Sequence, residues 1–120
     1  MNDLLNFPNV MYTLHFCCGD ATKEADGQGQ RDNVSALIAK GMPIFVSEWS
    51  TSNYTGDGGP YPVTAQKWLD FMANHKLSWA NWSLATKDEG ASFLKPNASM
   101  SGPWTDNDLS PAGLFMKDKF

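Results

Sequence analysis

The sequence of 120 residues predicts an α/β fold in which strands and helices alternate in the order β-α-β-α-β-α. Three short strand-like runs are separated by segments whose apolar residues recur at helical spacing. Strands that alternate with amphipathic helices imply a parallel sheet with right-handed crossovers. Long glycine- and polar-rich loops follow the strands, whereas the loops before the strands are short. This asymmetry indicates that the functional loops lie at the carboxyl edge of the sheet.

The strands are predicted from runs rich in apolar, β-branched and aromatic residues. They cover residues 9–16 (NVMYTLHF), 43–48 (PIFVSE) and 77–84 (LSWANWSL). The second run is the most informative because it is apolar and ends in one carboxylate, Glu48. A charged side chain rarely ends such a strand unless it is paired or functional. The alternative is that Glu48 only marks the point where the strand reaches solvent.

The helices are predicted from apolar periodicity and from the residues that begin and end helices. Residues 31–40 have apolar side chains at positions i, i+3 and i+4 and are followed by Gly41, a plausible C-terminal cap. Residues 64–75 have apolar side chains at i, i+3, i+4 and i+7 after the helix-opening Pro62. A third helix is expected to begin at Ser110-Pro111, because serine caps helices and proline suits the first helical position.

Composition excludes several classes of protein. Hydrophobic residues make up 42% of the chain and charged residues 18%, which is typical of a folded domain. The net charge of −4 and the lack of a basic run argue against binding to nucleic acid. No apolar run is long enough to span a membrane. The first residues lack the basic start and apolar core of a signal peptide, so we expect any secretion signal to lie outside this chain.

Polar and aromatic side chains gather where the predicted strands end. They are His15, Glu48 and Trp82, followed by Lys87 and Glu89 in the loop after the third strand. A carboxylate can act at a glycosidic bond as nucleophile or base, and tryptophan offers a flat apolar face to a sugar ring. The alternatives are that His15 is a satisfied core histidine and that Lys87 and Glu89 belong to a solvated loop.

We expect neither a metal nor another cofactor. A metal site built from His15, Cys17, Cys18 and Glu48 is conceivable, but the adjacent cysteines do not have the C-x-x-C spacing of a zinc motif.

Four segments carry a resemblance to a known family. NVMYTLHF, PIFVSEWSTS, LSWANWSLATKDE and GPWTDNDLSPAG, in this order and spacing, resemble the C-terminal part of bacterial glycoside hydrolase family 5 cellulases. The resemblance implies a (β/α)8 TIM barrel, retaining hydrolysis of internal β-1,4-glucosidic bonds in glucans, and secretion. The segments are similar to the sixth, seventh and eighth βα units. Residues 1–120 would therefore form a single partial-barrel domain.

The resemblance also implies roles for individual residues. Glu48 matches the nucleophile of the family and His15 matches an active-site histidine. Trp82 matches the tryptophan that lines the sugar site next to the cleavage point. Lys87 and Glu89 match a loop pair that reaches toward substrate.

Two departures from the family pattern bear on activity. The sequence lacks the Asn-Glu-Pro motif that carries the general acid/base, and Cys17 stands where a tyrosine usually hydrogen-bonds the nucleophile. A retaining glycosidase needs two carboxyl groups about 5–5.5 Å apart. Stand-in acids within the chain would be Glu24, Asp26 or Glu89.

Three parallel strands cannot close a barrel, and their outer edges would remain unpaired. We therefore expect completion by a homo-oligomer or by a separate N-terminal barrel fragment. Two non-enzymatic interpretations stay open: a glucan-binding remnant without turnover, and a barrel-fragment assembly unit with neither activity.

Overall fold

The computed structural model describes residues 5, 7–19 and 27–120. The elements are β1 (Tyr12–Cys17), α1 (Gln28–Ala39), β2 (Ile44–Ser50), α2 (Pro62–Asn74), β3 (Trp79–Asn81) and α3 (Pro111–Met116). The strands form one parallel sheet in the order β1-β2-β3. The predicted alternation and the parallel sheet are confirmed.

The strand boundaries differ from the prediction because backbone hydrogen bonds to neighbouring segments decide where a strand begins and ends. The first strand begins at Tyr12 and not at residue 9, because its amide bonds to the carbonyl of Pro43, just before β2 begins. The third strand has three residues instead of eight. Its chain leaves the sheet at Ser83, whose amide and carbonyl bond to Ala91 and Phe93 in the following loop.

Two helices, α1 and α2, begin before the periodic apolar residues from which they are predicted. α1 starts at Gln28, after Gly27 with φ of +74°. Its first turn is polar and gives no periodic signal, so the apolar spacing does not reveal this turn. α2 includes Pro62 in its first turn. The predicted cap of α3 is confirmed, since Ser110 Oγ accepts a hydrogen bond from the amide of Gly113 at 3.1 Å. No helix in the described ranges is long and apolar enough to cross a membrane.

The core lies between the helices and one face of the sheet. Phe16 of β1 stacks on Trp68 of α2, with ring centroids 3.8 Å apart, and on Trp49 of β2 at 5.5 Å. Val46 and Met72 are fully buried in the same cluster. Trp79 of β3 packs edge-on against Trp49. The opposite face of the sheet is open, because Thr13, His15 and Ala80 are exposed there.

The middle of β2 contains one residue more than the facing parts of both neighbours. The pairs are Thr13–Phe45 and His15–Glu48 between β1 and β2, and Val46–Trp79 and Trp49–Asn81 between β2 and β3. Such a bulge breaks the alternation of side chains between the two faces of a strand. Val46 and Trp49 are both fully buried on the helix side. The two residues between them, Ser47 and Glu48, therefore both lie toward the open face.

Candidate active site

A cleft of about 210 Å³ lies at the carboxyl edge of the sheet. It is formed by the ends of the strands and by the loops that follow β2 and β3. Four of the five side chains predicted for the site line it: Glu48, Trp82, Lys87 and Glu89. The fold thus brings residues from three separate segments of the sequence to one place.

Glu48 reaches the cleft because of the bulge in β2. Strict alternation after the buried Val46 would direct residue 48 to the helix side. The extra residue instead leaves Glu48 half-buried on the open side, with Trp49 taking the core position. The carboxylate therefore faces solvent and any bound molecule while its strand remains anchored in the core.

His15 lies beside Glu48 but not in the wall of the cleft. The two residues are partners in the pairing of β1 with β2. The imidazole is exposed, and its Nε2 lies 2.7 Å from Oγ of Ser47. The interpretation of His15 as a satisfied core histidine is wrong, since its side chain lies on the open face.

Trp82 forms a flat apolar wall directly after β3. Its amide donates to the carbonyl of Trp49 at 2.8 Å, which ties the backbone to β2. The residue is nevertheless 50% exposed. An indole that is fixed at its backbone and open at its face can pack against a sugar ring.

Lys87 and Glu89 form an ion pair at the rim of the cleft. Lys87 Nζ lies 2.7 Å from Oε2 of Glu89, and the lysine side chain is 74% exposed, whereas the glutamate side chain is only 8% exposed. The hydrogen bond and charge of Glu89 raise the pKa of the Lys87 ammonium, and Asp57 acts in the same direction. The prediction of a solvated loop is therefore wrong for Glu89 and holds for Lys87.

The loop after β2 contributes contacts that the sequence did not reveal. Asn53, Tyr54 and Gly56 line the cleft. The carbonyl of Gly56 accepts a hydrogen bond from the amide of Ala91 at 2.8 Å, which joins the loops after β2 and β3. The glycine-rich run in residues 56–59 was the available signal, because such runs allow close backbone approach.

Among the described residues, one of the three expected stand-in acids, Glu89, lies in the cleft. Glu24 and Asp26 lie outside the described residues. Glu89 shares the cleft with Glu48 and forms an ion pair with Lys87. Cys17 also lines the cleft. The described residues contain no group of three or more His, Cys, Asp or Glu side chains that could hold a metal ion.

Comparison with known proteins relates this geometry to a family. The family profile described as "Cellulase (glycosyl hydrolase family 5)" matches residues 2–88. An endoglucanase of Clostridium saccharobutylicum is 47% identical over 113 residues, which are 94% of this chain and 24% of that protein. Endoglucanase A of Evansella cellulosilytica is 49% identical over 115 residues, or 96% of this chain and 22% of the relative.

Solved structures give the same result for the fold. A halotolerant GH5 cellulase from an Icelandic hot spring isolate superposes with a TM-score of 0.85 and 36% identity, covering 98% of this chain and 38% of that one. The catalytic domain of Thermobifida fusca endoglucanase Cel5A, solved with cellotetraose, gives a TM-score of 0.79 and 29% identity over 95% of this chain and 36% of its own.

The chain spans about a quarter of the length of these curated relatives and about a third of the solved chains. The match to the family profile nevertheless covers more than half of the sequence. The resemblance inferred from four sequence segments is thereby confirmed. The chain belongs to the cellulase family, glycosyl hydrolase family 5.

Proposed function

We propose that this chain supplies the nucleophile and part of the sugar-binding wall of an endoglucanase. The substrate would be a β-1,4-glucan, cleaved at internal bonds with retention of configuration. The observation that supports this most is the position of Glu48 in a cleft with Trp82 and the Lys87–Glu89 pair, in a chain of the cellulase family. A polymeric glucan does not enter cells, so we propose that the protein acts outside them.

Each side chain has a chemical task in this proposal. The carboxylate of Glu48 attacks the anomeric carbon as the glycosidic C–O bond breaks, and the leaving sugar oxygen takes a proton from the acid/base carboxyl group. Water, deprotonated by the same acid/base group, then hydrolyses the covalent glycosyl-enzyme and releases Glu48 as a carboxylate. Trp82 packs against the apolar face of the sugar ring that is attacked. The exposed ammonium of Lys87 donates hydrogen bonds to sugar hydroxyls, and Glu89 holds that ammonium in place.

The acid/base carboxyl group would come from outside the described residues of one copy. In those residues β1 and β3 each have one strand neighbour, which leaves two edges with unpaired backbone groups. Parallel sheets are usually covered on both faces, and here one face is open. We propose that another copy of the chain, or an N-terminal barrel fragment, pairs with these edges and covers this face.

A second copy would also repeat the catalytic carboxylate. If β1 of one copy paired beside β3 of another, their Glu48 residues would lie three strands apart along a continuous sheet. A curved sheet of this kind brings the ends of such strands onto one rim. One Glu48 could then serve as nucleophile while the neighbouring copy supplies the second carboxyl group.

The catalytic proposal is tested by hydrolysis of carboxymethyl cellulose with wild type and Glu48→Gln. The isosteric amide cannot attack carbon, so we expect hydrolysis to be lost. Asp88→Asn is the matched control, because Asp88 is an exposed carboxylate in the loop after β3 and does not line the cleft. Equal rates for wild type and Glu48→Gln would refute the role of Glu48.

Two further measurements separate the remaining interpretations. Binding to soluble glucan without turnover would favour a glucan-binding remnant, whereas loss of all glucan affinity would favour an assembly unit. Light scattering tests self-association, and a single monomer peak at micromolar concentration would count against a homo-oligomer.

A further inference from the structure

We propose that Ser47 is a positioning residue that holds the imidazole of His15 in one orientation beside Glu48. This inference rests on the proposed function, because it assigns Ser47 a task only in a site where His15 meets the sugar. It adds a residue to which the sequence pattern assigns no role.

The bulge of β2 creates the opportunity for this contact. In a regular strand the side chains of residues 47 and 48 would lie on opposite faces, so only one of them could serve a site on the open side. Because Val46 and Trp49 are both fully buried on the helix side, Ser47 and Glu48 share the open side. Bulges next to active sites commonly redirect a side chain in this way.

The contact itself is short and joins two strands. Oγ of Ser47 lies 2.7 Å from Nε2 of His15, although the residues are 32 positions apart in the sequence. His15 pairs in register with Glu48, the residue that follows Ser47. A serine hydroxyl can donate or accept, and in either case it occupies Nε2. Among the described residues Nδ1 has no hydrogen-bond partner, and it is therefore available to a sugar hydroxyl.

An exposed imidazole without such a partner would not stay in one state. Its side chain would sample several rotamers. A hydrogen bond to Nε2 restricts the rotation of the ring whichever of the two atoms donates. Ser47 thus prepares His15 to offer Nδ1 in a defined direction.

The chain contains an internal control for this assignment. Its two histidines each pair with a serine: His15 with Ser47, and His75 with Ser35 at 3.0 Å between Nε2 and Oγ. The second pair joins α1 to α2, away from the open face of the sheet. Replacement of Ser35 should therefore affect only His75.

The test combines ¹⁵N NMR of the imidazoles with binding of cellotetraose, and circular dichroism monitors folding. In Ser47→Ala we expect the Nε2 signal of His15 to shift, because this nitrogen loses its hydrogen bond to the serine hydroxyl. We expect cellotetraose affinity to fall about three- to tenfold, the effect of losing about one hydrogen bond. Ser47→Thr should preserve both readouts because it keeps the hydroxyl and suits a strand. Ser35→Ala should change the His75 signals alone.

Two results would overturn the positioning role, and a third would separate it from the proposed function. Unchanged His15 signals in Ser47→Ala would overturn the positioning role, whatever glucan binding shows. A Ser47→Thr variant that behaves like Ser47→Ala would also overturn it. If the His15 signals change but wild type binds no cellotetraose, the positioning of the ring stands and the proposed glucanase function fails.

Discussion

The loop after β2 should support the ion pair at the rim of the cleft, and Gly56→Ala tests this. Gly56 has φ of +88°, which L side chains rarely adopt, and an added Cβ would lie 3.0 Å from Oε2 and 3.3 Å from Cδ of Glu89. The backbone conformation alone should cost about 1–2 kcal/mol of unfolding free energy. In addition, the buried glutamate must shift, and the ammonium of Lys87 moves with it.

Gly41→Ala is the matched control for this substitution. Gly41 has φ of +83°, nearly the same conformation, but an added Cβ there meets nothing within 4 Å. Both variants should therefore lose a similar amount of stability, about 1–2 kcal/mol in urea unfolding. Only Gly56→Ala should weaken the binding of cellotetraose, and only there should the NMR signals of the Lys87 side chain move.

The comparison can refute the reasoning in two ways. If Gly56→Ala binds cellotetraose like wild type, the contact of Gly56 with Glu89 does not control the cleft. If Gly41→Ala weakens binding as much as Gly56→Ala, the effect comes from general loss of stability and not from the ion pair.

Three further substitutions test the site and the core. Trp68→Ala should cost about 3–5 kcal/mol of unfolding free energy, because it removes a fully buried ring that stacks on Phe16. Urea unfolding would measure this loss, and a cost below about 1 kcal/mol would contradict the packing. Trp82→Ala should leave stability within about 0.5 kcal/mol, since the ring is half exposed, but should reduce glucan affinity in calorimetric titration. Glu89→Gln should lower the pKa of Lys87 toward its ordinary value in an NMR titration. Because Glu89 raises that pKa in the folded state, the ion pair stabilises the fold at neutral pH, and this stabilisation is lost as pH rises through the pKa of Lys87. Glu89→Gln should not show this loss of stability at alkaline pH.

The sequence predicts the elements and their order well because that information is local. Apolar spacing identifies the buried face of α2, and the Ser110-Pro111 pair predicts the N-terminal cap of α3. Boundaries are predicted less well, since they depend on partners. The end of β3 is decided by Ser83, which bonds to a loop and not to a strand.

The candidate site, too, is predicted from the sequence only in part. Its residue types and strand ends are visible in the sequence, and the resemblance to cellulases directs attention to Glu48. The burial of Glu89 is not visible, because its loop is polar and charged. Gly56 lies 33 positions away in the chain and comes close to Glu89 only after both loops fold.

By itself, the sequence determines the family, the alternation of strands and helices, and the carboxylate at the end of β2. Only the tertiary structure decides that Ser47 and Glu48 share one face, because the bulge depends on the pairing of β2 with both neighbours. The buried Val46 and Trp49 then hold that irregular strand in place. Local preference selects the strand, and long-range packing decides which side chains it offers to the cleft.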